Sequence, residues 1–194
     1  AAITAWRVLA VGDRFGAILF NDSETREFKP TRNDRKVTAA LGDLASMNNQ
    51  LSVSNQQSSN PGALAQALRL LERSIGHDYL VVLISDFYGW DARALRTIRS
   101  ISQHNDVICA LVFDPLERDI SKADNLIVSD GRYQLQIEPD RQSLGQKFEA
   151  SFESSVAHVQ GDLKRHNIPV LPVETVTPTT DQLREKLGGQ RVLA

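Results

Sequence analysis

The sequence is poor in the features from which chemistry is most easily read. It holds a single cysteine, Cys109, so no disulfide can form within the chain, and a reducing compartment, the cytoplasm, is the expected setting. No apolar run approaches the roughly 20 residues of a membrane span. The longest runs, Tyr79 to Ile84 and Val107 to Phe113, have the length of a strand. Charge of neither sign dominates: 22 Lys+Arg against 24 Asp+Glu leave a net charge of -2, so no bulk field draws the chain to nucleic acid. The patterns G-x-S-x-G, H-E-x-x-H, G-x-G-x-x-G and the P-loop are all missing. His77, His104, His158 and His166 show no metal-ligand spacing, and none accompanies a serine or cysteine in a nucleophile motif. No catalytic set and no cofactor-binding fingerprint is legible.

What is present is an ordinary globular balance, 41% hydrophobic and 24% charged over 194 residues. That length suits one domain, 1–194, that buries about 70% of its unfolded surface without staples. The chain opens on Ala1 rather than Met, inside an apolar helical pattern (Ile3, Trp6, Val8, Leu9) that Gly12-Asp13 stops. The expectation is a piece of a longer protein, truncated at its N-terminus.

Along the chain, Phe15 to Phe20 and Thr25 to Phe28 read as an edge hairpin, and Val37 to Leu51 mark an amphipathic helix over about 34 to 50. Asn48 to Pro61, nearly all Asn, Gln and Ser, reads as a mobile loop. A helix at Leu64 to Ile75 precedes Tyr79 to Ser85, which is apolar on both faces as a central parallel strand should be. Asp91 is placed to cap a helix carrying Leu95, Ile98 and Ile101. Val107 to Phe113 is a second two-faced strand, and Asp130-Gly131 marks a hairpin turn. A long helix from Leu144 to Leu163 follows. Pro169 to Val173 is confined to a sheet edge by its prolines, and a last helix ends at Gly188-Gly189. This alternation predicts an α/β, Rossmann-like three-layer domain with a mostly parallel sheet and an antiparallel edge hairpin.

In such sheets ligands bind beyond the carboxyl ends of the strands. Asp86 and Asp114 stand there, and adjacent strand-end carboxylates are what a Mg²⁺-dependent hydrolase or phosphotransfer site would use, because a hard cation takes oxygen ligands. The competing role for each is to cap a helix or hold a turn. Cys109, mid-strand, is expected to be buried and inert. Arg26, Lys29, Arg32, Arg35 and Lys36 form a basic stretch diluted by Glu24, Glu27 and Asp34, which reads as a solvated surface before it reads as a docking patch.

Four strings in register, GDRFGAILFND (Gly12 to Asp22), VVLISDF (Val81 to Phe87), HNDVICALVFDPLE (His104 to Glu117) and IPVLPVET (Ile168 to Thr175), resemble the bacterial domain of unknown function 58 family. The resemblance implies a von Willebrand factor A-like fold. It also implies a non-enzymatic adaptor, partnered with a MoxR-type AAA+ ATPase, in the assembly or maturation of other proteins. The resembled fold grips a divalent cation with a three-part motif. Its first part, Asp-x-Ser-x-Ser, occurs nowhere in 1–194; its second, a threonine, falls on Gly62; its third, an aspartate, matches Asp86. Ser58 or Ser59 is the available substitute. The resemblance therefore implies no cofactor in this chain and a Mg²⁺ site only in a longer form. It also places a missing first strand between Phe15 to Phe20 and Tyr79 to Ser85. An upstream strand is expected to fill that slot; without it, the two neighbours pair directly or another molecule supplies the strand. Two functions compete: a protein-interaction module, with a homo-oligomer left open, and a Mg²⁺-dependent hydrolase built on Asp86 and Asp114.

Overall fold

The computed structural model describes residues 1–53, 60–118, 127–129, 134–136 and 141–188. The N-terminal apolar pattern forms α1 (Ala2–Ala10). Gly12 turns it off at φ +83, and the N–H groups of Gly12 and Asp13 donate back to Leu9 O and Val8 O at 2.9 and 3.1 Å. β1 (Phe15–Phe20) and β2 (Thr25–Thr31) form an antiparallel hairpin with Ala17 opposite Phe28 and Phe20 opposite Thr25. Asn21 shapes its turn by accepting the N–H groups of Ser23 and Glu24 at 2.9 and 2.8 Å.

α2 (Asp34–Val53) buries Val37, Ala40 and Met47. It runs through Asn48 to Val53, where composition pointed to loop. Propagating a nucleated helix costs little per residue, and Leu51 continues the apolar spacing of Met47, so the pattern outweighs the local preference of Asn and Ser for turns. The rest of the expected loop, 54–59 with Ser58 and Ser59, lies outside the described residues.

α3 (Ala63–Ser74) leads to β3 (Leu80–Ser85), α4 (Ala92–Ser102) and β4 (Asp106–Phe113). A four-residue α5 (Pro115–Arg118) follows, then the antiparallel pair β5 (Ile127–Ser129) and β6 (Gln134–Gln136). The turn expected at Asp130-Gly131 lies outside the described residues. α6 (Arg141–Lys164), β7 (Val170–Glu174) and α7 (Thr179–Gly188) complete the order.

The parallel sheet has the order β3-β4-β7, with Val81 opposite Val107 and Cys109 opposite Val170. β7 takes an edge, as its prolines require. The core joins three helices to this sheet: Leu64 and Leu68 of α3, Ile98 and Ile101 of α4, and Val159 and Leu163 of α6 pack with Val81, Leu83, Cys109 and Leu111. Full burial of each such side chain is worth about 1.5–3 kcal/mol.

One expectation of the architecture is revised. The hairpin does not sit on the edge of the parallel sheet; β1 and β2 form a sheet of their own, and β1 does not pair with β3. What ties the two sheets together is side-chain packing. α3 lies against both β1 and α4, and Phe20 packs on the core cluster that holds Val81 and Leu83. Direct pairing of the two neighbours does not occur.

Candidate functional site at the strand ends

At the carboxyl end of β3 the backbone makes a tight, built turn. Ser85 Oγ accepts the N–H of Phe87 at 3.0 Å, and Asp86 Oδ1 accepts the N–H of Tyr88 at 3.0 Å. Phe87 takes φ 59, a conformation that is unusual for a bulky residue, and its ring is 4% exposed. Burial of that ring, in T-shaped contact with Trp90 at 5.5 Å, offsets the backbone cost. The turn thus drives Phe87 inward and leaves Asp86 and Tyr88 exposed.

Two other segments meet this turn. Gly89, at φ +72, lies so close to Pro61 that an added Cβ would come 2.0 Å from the Pro61 carbonyl oxygen. Asn60 stitches the hairpin to the same place. Its Nδ2 donates to Asp22 O at 3.2 Å, and its Oδ1 accepts the N–H of Gly62 at 3.0 Å. Residues 21–24, 60–62 and 86–90 therefore converge, and the structure brings Gly62 and Asp86 to one end of the molecule. Asn60 was hidden in a stretch that composition alone reads as flexible.

Behind the turn, Trp90 Nε1 donates to Asp162 Oδ2 at 3.1 Å. Asp162 is 7% exposed, and it also accepts Arg165 at 3.1 Å, with His158 Nε2 3.6 Å away. This buried carboxylate anchors the β3–α4 turn to α6. Its only sequence signal is an acid among the apolar positions of a long helix.

The remaining strand-end acids do structural work. Asp91 caps α4 by accepting the N–H groups of Arg93 and Ala94 at 2.8 and 2.9 Å. The Ala94 N–H, then the Arg93 side chain, hold its carboxyl below the usual range. Asp114 Oδ1 accepts the N–H of Leu116 at 2.9 Å, and its Oδ2 accepts Thr175 Oγ1 at 3.3 Å. Ser85 stands opposite Leu111, so Asp86 and Asp114 are offset by two residues on adjacent strands. Strand geometry puts their Cα atoms roughly 8 Å apart. Among the described residues no group of three His, Cys, Asp or Glu is placed to hold a metal ion.

Cys109 is fully buried between two strands, and burial pushes its thiol up to about 12. Both its burial and its raised thiol disfavour the reactive thiolate at neutral pH. In the basic stretch, Arg26 is held by Glu24 and Asp43 at 2.9 and 3.2 Å, while Lys29, Arg32, Arg35 and Lys36 are exposed.

A family model described as "Protein of unknown function DUF58" matches residues 1–158. The chain belongs to the DUF58 family. No curated protein and no solved structure matches it. Among the described residues of this DUF58 chain, no helix is long and apolar enough to cross a membrane.

The three-part cation motif of the resembled fold fits this chain poorly. Gly62 offers no side-chain oxygen, and its N–H is already committed to Asn60. Asp86 Oδ1 is engaged by Tyr88. Asp-x-Ser-x-Ser does not occur in 1–194. Among the described residues, the Asp86 carboxylate alone is far short of the six oxygens a Mg²⁺ ion takes.

Proposed function

We propose that this DUF58 chain is a non-enzymatic protein-interaction module of von Willebrand factor A-like architecture, an adaptor for a MoxR-type AAA+ ATPase acting on other proteins. The observation that carries the reading is the use to which the strand-end residues are put. Asp86, Asp91 and Asp114 each spend an oxygen on backbone N–H groups of their own loops. A phosphotransfer site needs those oxygens pointed at a metal or a reacting group. What the turn offers outward instead is an exposed carboxylate, Asp86, beside an exposed ring, Tyr88. A rigid loop with an aromatic tip on a parallel-sheet scaffold has the chemistry of a recognition surface.

The test is titration of the purified chain with a MoxR-type ATPase by calorimetry. Saturable binding is expected, weakened at least about tenfold by Tyr88→Ala combined with Asp86→Lys, with the far-ultraviolet spectrum unchanged. Mg²⁺-dependent phosphatase turnover that disappears in Asp86→Ala would overturn the reading in favour of a hydrolase.

A further inference from the structure

Most of the basic stretch gathers at the open end of the hairpin. Phe15 stands opposite Thr31, so Arg14 and Arg32 flank the last pair of the ladder. The chain beyond Thr31 is ordered by its own bonds. Asn33 N donates to Thr31 Oγ1 at 3.1 Å, and Asn33 Oδ1 accepts the Lys36 N–H at 3.2 Å. That cap starts α2 with Arg35 and Lys36 in its first turn. Beside Arg14, the Gly12 and Asp13 N–H groups bond back to α1 and hold Val11 at the same end, where it is 71% exposed.

This arrangement runs against local electrostatics. The first turn of a helix carries the positive end of its dipole, where Asp34 is favoured and Arg35 and Lys36 are not. Arg14 and Arg32 bring two more like charges to the same place. None of the four is compensated: Arg14, Arg32, Arg35 and Lys36 are exposed, and they make no ion pair or side-chain hydrogen bond among the described residues. Arg26, in the same hairpin, is by contrast paired with both Glu24 and Asp43. Local conflicts of this kind are expected where a functional surface requires them.

We propose that this end of the hairpin is a docking surface for an acidic polypeptide segment of another protein. Its carboxylates pair with Arg14, Arg32, Arg35 and Lys36, and one of its apolar side chains rests on Val11. Three of the four cations are arginines, whose planar forks take a carboxylate through two parallel hydrogen bonds. A continuous polyanion fits less well. The chain's net charge of -2 gives such a partner no long-range attraction, and Asp13 and Asp34 stand among the cations. A nucleic acid or an anionic bilayer meets those two acids with like charge, whereas a short segment can set uncharged residues against them. The loops are ordered before the partner arrives, which lowers the entropic cost of binding. The length of β1 puts about 17 Å between this surface and the strand-end turn, so the two are separate surfaces. The inference goes beyond the adaptor reading and does not depend on which partner the strand-end turn takes.

The probe is a fluorescein-labelled peptide, Glu-Asp-Leu-Glu-Asp-Glu, with Gln-Asn-Leu-Gln-Asn-Gln as the uncharged control, followed by anisotropy. Saturable binding of the acidic peptide alone is expected, weakening at least about fivefold as salt rises from about 50 to 200 mM. Arg32→Glu combined with Arg35→Glu should weaken it at least about tenfold. Arg96→Glu combined with Arg99→Glu, an equal change of net charge on exposed positions of α4, should weaken it about twofold or less. Arg35→Glu by itself should raise Tm by about 2 °C, because it removes a cation from the positive end of α2. No binding of the acidic peptide, equal binding of the uncharged one, or equal losses in the two double variants would overturn the proposal. So would a fall in Tm for Arg35→Glu. Vesicles rich in phosphatidylserine, or a single-stranded oligonucleotide, form the last arm. Tighter binding of either than of the peptide, lost in Arg32→Glu with Arg35→Glu, would overturn the assignment to an acidic polypeptide.

Discussion

Gly89→Ala is the substitution that most directly probes the strand-end turn. Gly89 sits at φ +72, where an L-residue costs about 1–2 kcal/mol. The added Cβ would lie 2.0 Å from Pro61 O and 2.7 Å from Pro61 C and Cα, well inside ordinary contact, and the obstacle is backbone rather than a side chain that can swing away. The turn must therefore retreat from residues 60–62. Retreat draws on the Phe87 seat in the core and on the Trp90–Asp162 hydrogen bond, which adds about 1 kcal/mol or more. The expected loss is about 3 kcal/mol, read by urea denaturation as a lower midpoint at unchanged m-value, and by calorimetry as a fall of roughly 6–12 °C in Tm. Gly42→Ala is the matched control. Gly42 is exposed within α2 with nothing within 4 Å of the added Cβ, so alanine should stabilise by roughly 0.5–1 kcal/mol. A loss below about 1 kcal/mol for Gly89→Ala would refute the view that the turn is locked against Pro61.

Three further outcomes are expected. Asp86→Asn keeps an oxygen for the Tyr88 N–H and should change stability by well under about 2 kcal/mol; millimolar Mg²⁺ should leave the parent Tm unchanged, and a Mg²⁺-dependent rise abolished by the substitution would contradict this. Asp91→Ala removes the α4 cap and should cost about 1 kcal/mol at neutral pH. Because the folded carboxyl titrates below its usual range, that contribution is present above the unfolded value and lost as pH falls through the folded one, so the two proteins should converge in urea midpoint under strongly acidic conditions. The Cys109 thiol is raised from 9.0 to about 12 by burial; its contribution to stability is complete below pH 9 and declines as pH rises from 9 towards 12. A thiol reagent at pH 8 should accordingly react with Cys109 only after denaturant is added, and rapid labelling of the native protein would show the site to be open.

How far the sequence reached depends on the range of the force involved. Local signals were legible because their causes are local. Gly12 ends α1, Asp91 caps α4, and the prolines of Pro169 to Val173 keep β7 at an edge. The apolar stretches at Tyr79 to Ser85 and Val107 to Phe113 predicted two adjacent parallel strands, since only burial on both faces tolerates such runs. The end of α2 was misplaced, because Asn and Ser there favour turns locally while the helix is continued from the turns before it. Two features of the candidate site were beyond sequence reasoning. The Trp90–Asp162 bond joins residues 72 apart, and the Gly89–Pro61 contact needs two loops to be folded against each other before either glycine or proline acquires its meaning. The separation of the hairpin from the parallel sheet is of the same kind. The apolar pattern of Phe15 to Phe20 calls for burial, and the packing of α3 and Phe20, not a backbone ladder to β3, leaves the strand half-buried. Which edges pair is a property of their distance in space, so only the tertiary structure decided that β1 and β3 do not pair with each other.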